Sequence, residues 1–266
     1  MREKFIETVR GKVYYFISEG IDKNKETLFF FPGLTADHRL FEKQTAYFED
    51  IYNIIVWDAP LHGKSRPYND FSFANSVEDI HSILNENDID KIIAVGQSLG
   101  GYFAQAFILR YPLQVKGFIG IGTTPYGEEY YSAADKFWLR QIEWMSMLCP
   151  LDFLKRASAK QACSTEYGYD NMMKMIDCYG KKEYAHLMQI AYAEFLKDNC
   201  ELEINCPVLI TYGENDRVGI VKKYCRMWTE KTGFPFKVIS KAGHNANADA
   251  PDEMNHIIEE FIADLN

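Results

Sequence analysis

Positive charge is the first thing this chain is short of: Lys and Arg number 29 against 38 Asp and Glu, for a net charge of -9. Nucleic acid and anionic membrane surfaces are held by basic patches, so neither is expected as a partner. No apolar run approaches the roughly 20 residues that span a bilayer. Met1-Arg2-Glu3-Lys4 leads directly into strand-like sequence, so no signal peptide is expected. The six cysteines form no C-x-x-C pair and show no zinc spacing, at positions 149, 163, 178, 200, 206 and 225. Free thiols in a reducing cytoplasm are the expectation, with no disulfide framework. No Pro/Gly/Ser-rich linker, low-complexity tract or internal repeat divides the chain. Oligomeric state is left open.

At 266 residues the chain can bury a large core. Two β-rich runs, Lys4 to Val9 and Lys12 to Ser18, meet at Arg10-Gly11 and read as a hairpin. Beyond it, short apolar runs alternate with helical patterns. Strands are expected at Leu28–Phe31, Asn53–Trp57, Lys91–Val95, Val115–Ile121, Cys206–Tyr212 and Phe236–Ile239. Helices are expected over Arg39–Phe48, Ala74–Glu86, Tyr102–Arg110, Val218–Thr232 and Pro251–Leu265. This alternation implies an α/β fold, a mostly parallel central sheet with helices on both faces. One segment breaks the rhythm. Residues 125–200 carry helical patterns and no strand-like run, and are expected to form a helical cap inserted between core parts 1–124 and 201–266.

The most informative stretch is Gly96-Gln97-Ser98-Leu99-Gly100-Gly101, between a strand and a helix. A serine on so tight a turn is lifted clear of the sheet at a helix N-terminus, where negative charge is favoured. A serine hydroxyl attacks only when a base takes its proton and a third group orients that base. His244, on a loop after a late strand, is the expected base. His81, His186 and His256 lie within helical patterns; His38 and His62 lie on strand-end loops where they could line a pocket. The expected acid is Asp216, after the Cys206–Tyr212 strand, with Glu214 as its competitor and an N-cap as its structural alternative. Oxyanion donors are expected from the Leu99 amide and from Leu34, which follows Pro32-Gly33. His38, Trp138 and Trp144 are the expected pocket residues, and the Met172–Met175 stretch could add an adaptable apolar wall. Gly63-Lys64-Ser65 fails as a phosphate loop because Asp58 stands at its first glycine, and Gly120 to Pro125 fails as a dinucleotide fingerprint at Pro125. No organic cofactor and no metal site are implied.

The set Ser98, Asp216 and His244, in that order, resembles the α/β-hydrolase family over essentially the whole chain outside the cap. Asp58-Ala59-Pro60-Leu61-His62-Gly63-Lys64-Ser65 is similar to the family's Asp-x-x-Gly-x-Gly-x-Ser loop, with Leu61 where a glycine usually stands. Pro32-Gly33 replaces the family's frequent His-Gly. The resemblance implies a serine hydrolase acting through an acyl-enzyme, with a small or medium apolar acyl ester as the substrate expectation. A serine at the elbow argues against the family's dehalogenases and epoxide hydrolases, which use an aspartate. Hydrolysis of C–C or thioester bonds, lyase chemistry on the same residues, and a non-turnover ligand receptor remain as alternatives.

Overall fold

Strands β1 (Arg2–Thr8) and β2 (Gly11–Ile17) form the expected hairpin, paired in antiparallel register from Arg2 opposite Ile17 to Thr8 opposite Gly11. This is a computed structural model in which residues 1–126, 130–190 and 203–265 are described. Strands β3 (Thr27–Phe31), β4 (Asn53–Trp57), β5 (Ile92–Gln97), β6 (Val115–Ile121), β7 (Val208–Gly213) and β8 (Phe236–Ile239) complete an eight-stranded sheet. Its order is β1-β2-β4-β3-β5-β6-β7-β8. Strands β3 to β8 pair in parallel, while β2 joins β4 antiparallel.

Strands β3, β4 and β5 are buried at every residue, because helices cover both faces of the sheet. Their near-continuous apolar runs are what such burial requires. One face packs under α2 (Phe73–Glu86) and α3 (Leu99–Arg110), with Phe29, Phe31, Trp57, Phe73 and Phe103 in mutual contact. The other face holds Leu28, Phe30, Ile54, Val56, Ile93 and Val95, packed against α1 (Glu42–Phe48) and the C-terminal helix Pro251–Ala263. Sequential parallel strands need crossovers, and the reversal of strand order beside β3 and β5 opens a crevice at their carboxyl ends.

Between β6 and β7 the described elements include five α-helices: α4 (Ala133–Leu139), α5 (Ile142–Leu148), α6 (Leu151–Ala162), α7 (Glu166–Ile176) and α8 (Lys181–Gln189). Ser132 opens α4 through a capping box with Asp135. The helix expected from Val218 begins instead at Val221 and runs to Thr232 as α9, ended by left-handed Gly233. Asp216 is therefore not its N-cap; its Oδ1 accepts the Val218 N–H at 2.8 Å in a local turn. Cys149, Cys163, Cys178, Cys206 and Cys225 are free, and Cys200 lies outside the described residues. No described helix is long and apolar enough to cross a membrane.

Candidate active site

Ser98 sits between β5 and α3 at φ 51°, ψ -118°, a strained conformation for a residue with a Cβ. Two features hold it there. Its own N–H donates to the Ile121 carbonyl at 2.9 Å, tying the turn to β6. Behind it, strand and helix cross so closely that a Cβ on Gly100 would stand 1.8 Å from the Phe31 carbonyl oxygen, and one on Gly96 would stand 2.6 Å from the Gly101 Cα. Leu99 opens α3, so its N–H is among those a helix start leaves without an intrahelical partner.

After β8 the chain brings His244 back to this end of the sheet. His244 Nδ1 lies 2.8 Å from Asp216 Oδ2, and both residues are buried. A carboxylate only accepts, so Nδ1 carries a hydrogen, and the tautomer this selects for a neutral imidazole has its lone pair on Nε2. Gly122, at φ 55°, leaves room for the ring: a Cβ there would meet His244 Nδ1 at 3.0 Å. Glu214 is exposed and turned away, its Oε2 accepting the Lys241 N–H at 2.9 Å.

Ser98 and His244 line one cavity of about 80 Å³ with Leu34, Gln97, Asn245, Met172 and Val218. Ser158, Gln161 and Ala162 of α6 close it from the helical segment. The Asn245 N–H donates to the Ala162 carbonyl at 2.8 Å, and Asp249 accepts from Gly243, Ser164 and Thr165, so the histidine loop is stitched to the end of α6. Gln97 and Asn245 were not singled out by the sequence. Gln97 Nε2 donates to the His244 carbonyl and to Asn245 Oδ1, both at 3.2 Å. Its Oε1 fills the place beside Gly33, where a Cβ would stand 2.0 Å away. Gln97 thus braces the elbow, the Leu34 loop and the histidine loop together. The only signals for these two were their positions, one before the serine and one after the histidine.

The three expected pocket residues are not brought to this cavity. His38 stacks on Phe16 with ring centroids 3.6 Å apart and bonds Asp58 through Nδ1 at 2.7 Å, which holds it outside. Trp144 is 53% exposed, its indole N–H donating to Gln141 on its own helix. Trp138 lines a neighbouring apolar cavity, and among the described residues Val218 lines both. Of the methionines, Met172 lines the Ser98 cavity, while Met175 is buried with its sulfur accepting the Asp37 N–H.

The Asp58 loop is structural. Asp58 accepts from the His38 and Lys64 backbone amides, and Ser65 Oγ donates to the Asp58 carbonyl at 2.6 Å. Leu61, where the family's glycine usually stands, adopts the positive φ of 69° that a glycine would take without strain. Asp37, His38 and Asp58 bring ligand-type atoms within 4.8 Å of one another. These atoms are engaged: Asp37 takes a bidentate grip from Arg39, and Asp58 takes His38 and Lys64.

His62 is fully buried, and burial pushes its pKa down from 6.5 to about 4 against the opposing pull of the Pro60 carbonyl and Asp58. The unfolded chain therefore binds the extra proton first. Stability conferred by neutral His62 is present above pH 6.5 and is lost as the pH falls toward 4. We expect His62→Asn to be less stable than wild type at pH 7, and the gap to close by about 3 kcal/mol by pH 4. Urea midpoints across this range check it; a gap that stays constant with pH refutes the assignment.

Residues 26–251 match the family model described as alpha/beta hydrolase fold. The chain belongs to the alpha/beta hydrolase fold family and is an α/β hydrolase. A 2-hydroxy-6-oxononadienedioate/2-hydroxy-6-oxononatrienedioate hydrolase of Dechloromonas aromatica is 22% identical over 222 residues, covering 79% of this chain and 76% of that one. Among solved structures, a thermophilic esterase from Thermogutta terrifontis superposes with a TM-score of 0.80 at 19% identity, over 100% of this chain and 99% of that one. An esterase from Exiguobacterium antarcticum gives 0.82 at 18% identity, over 97% and 98%. At such identities the two structures show the shared fold.

Proposed function

We propose that the protein is a serine carboxylesterase that works through an acyl-enzyme on a small or medium apolar acyl ester. The observation that carries the reading is the buried His244–Asp216 pair, whose histidine shares a cavity with a serine strained onto a strand–helix turn. Ser98 Oγ attacks the ester carbonyl as His244 Nε2 takes its proton. Asp216 holds the imidazole in the required tautomer and stabilises the imidazolium. The Leu99 and Leu34 amides receive the oxyanion. The protonated His244 then gives its proton to the leaving alcohol. In the second half, a water deprotonated by His244 releases the acid and restores Ser98.

Residues 125–200 act in this reading as a cap. Support comes from α6, whose Ser158, Gln161 and Ala162 wall the Ser98 cavity. The relative from Dechloromonas aromatica is named for a dioate, which makes C–C hydrolysis the natural competitor. A panel of alkyl esters, thioesters and vinylogous C–C diketones separates the two. The esters should turn over fastest; a protein that cleaves the diketone and leaves the esters intact is a C–C hydrolase instead.

A further inference from the structure

Beside the Ser98 cavity lies a second, larger one of about 310 Å³, walled by Trp138, Leu139, Ile142 and Met145 on one side and Val218 to Val221 on the other. At about 30 Å³ for each water-sized unit it has room for roughly ten non-hydrogen atoms. Val218 lines both cavities, and its N–H is held by Asp216. A ligand lying across Val218 would place one end beside Ser98 and the other among these apolar side chains. The far wall is not featureless. Thr124 Oγ1 and Tyr131 OH are 2.7 Å apart, Tyr131 OH donates to the Pro125 carbonyl at 2.7 Å, and Tyr224 OH donates to Asp135.

The charges are one-sided. Among the described residues, Asp135 is the one charged residue lining the larger cavity, and no Lys or Arg lines either of the two, Lys223 acting on Asp135 from outside the lining. Its carboxylate is kept ionised by the Ser132 and Tyr224 hydroxyls, which hold its pKa below the ordinary value. Recognition of an anion at a ligand's far end is strongest with a cation; the described lining side chains include no cation, and the hydroxyls beside the Asp135 carboxylate already donate to it.

We propose that this cavity receives the apolar part of a neutral ester, and that Asp135 turns away substrates whose far end carries a carboxylate. The proposal rests on the ester hydrolysis proposed above, and it separates this chain's substrate from the dioate that its relative is named for. Each methylene buried should raise kcat/KM about three- to fourfold until the cavity is full.

The decisive pair is p-nitrophenyl hexanoate and the mono-p-nitrophenyl ester of adipic acid, equal in acyl length and different in terminal charge. The full chain should prefer the hexanoate at least tenfold. Ile142→Trp, which fills the cavity, should lose the hexanoate advantage and keep p-nitrophenyl acetate turnover within twofold. Asp135→Asn should raise adipate turnover severalfold; asparagine also caps α4, and a melting curve shows whether the helix holds. Binding is read separately by calorimetry on Ser98→Ala with ethyl hexanoate and monoethyl adipate. A binding preference for ethyl hexanoate that Ile142→Trp abolishes upholds the proposed cavity, even in a protein that cleaves no ester, where only the esterase reading falls. Equal binding of the two ligands, or a preference unmoved by Ile142→Trp and Asp135→Asn in a protein that still cleaves the acetate, overturns the cavity proposal and leaves the esterase reading intact.

Discussion

Ser98→Ala should abolish covalent labelling by a fluorophosphonate probe that marks the wild type once, and should lower kcat by about 10³- to 10⁶-fold. The size of the loss follows from what the substitution removes. Ser98 Oγ is the only protein atom in the proposed mechanism that bonds covalently to substrate, and without it the cavity can only bind and polarise the ester. The fold should survive. Alanine keeps the Cβ, the positive φ and the 2.9 Å hydrogen bond from residue 98 to the Ile121 carbonyl. Ser98→Gly serves as a control on the strain: holding a non-glycine residue in such a backbone conformation costs on the order of 1–3 kcal/mol. The glycine variant should therefore melt no lower than the alanine variant while being equally inactive. A serine kept in a conformation that its replacement relieves is placed for chemistry rather than for packing. Labelling that persists in Ser98→Ala, with the adduct mapped to another residue, would move the nucleophile elsewhere.

The sheet was largely legible from periodicity, for a physical reason. A strand covered on both faces must be apolar throughout, and Leu28–Phe31 and Asn53–Trp57 announce themselves against their polar neighbours; the observed strands are Thr27–Phe31 and Asn53–Trp57. Helix starts were less legible. The pattern predicts one helix over Arg39–Phe48, whereas the chain makes a 3₁₀ turn at His38–Phe41, capped by Asp37, before α1 begins at Glu42. Apolar spacing of three and four residues suits both helix types, so the break leaves no mark in the pattern. Strand order had no sequence signal either. That β4 lies between β2 and β3 is set by crossovers whose direction depends on packing rather than on any local run of residues.

At the candidate site, the structure gathers the residues expected to carry the chemistry, Ser98 and His244 in one cavity and Asp216 bonded to His244, while of the lining only Leu34 and Met172 were legible. Ser98, Asp216 and His244 each follow a strand that ends at the same edge of the sheet, so topology alone brings their loops together. The cavity walls come instead from residues with no chemical signature. Val218 and Ala162 line it because of where α9 and α6 happen to begin and end. Aromatic side chains mislead in the opposite direction: Trp144 looked like a wall and is exposed on α5, as are Met145, Met147 and Leu148 beside it. His38 was drawn off by a closer partner, the buried Asp58 carboxylate.

Asp216→Asn should lower kcat by about 10⁴-fold with little change in melting temperature, and the reason lies in the second oxygen of the carboxylate. Oδ2 accepts from His244 Nδ1 while Oδ1 accepts from the Val218 N–H at 2.8 Å. An asparagine has one oxygen to offer. The Val218 amide can only donate, so that oxygen is drawn to it, and the NH₂ is turned toward His244. Imidazole then answers with a bare Nδ1 and carries its hydrogen on Nε2. That is the nitrogen which must take the serine proton, so the site is intact in outline and blocked in function. Because asparagine is nearly isosteric and both hydrogen bonds are remade, folding should be spared. Raising the pH should not rescue the variant, since the fault is a tautomer rather than a protonation state. Glu214→Gln is the comparison: its carboxylate is exposed and bonded to the Lys241 amide, and activity should stay within about twofold. Measured side by side as kcat, KM and melting temperature, the two variants discriminate sharply between the candidate acids. Should Glu214→Gln prove the more damaging of the two, Asp216 is a loop-tying residue and His244 takes its orientation from elsewhere.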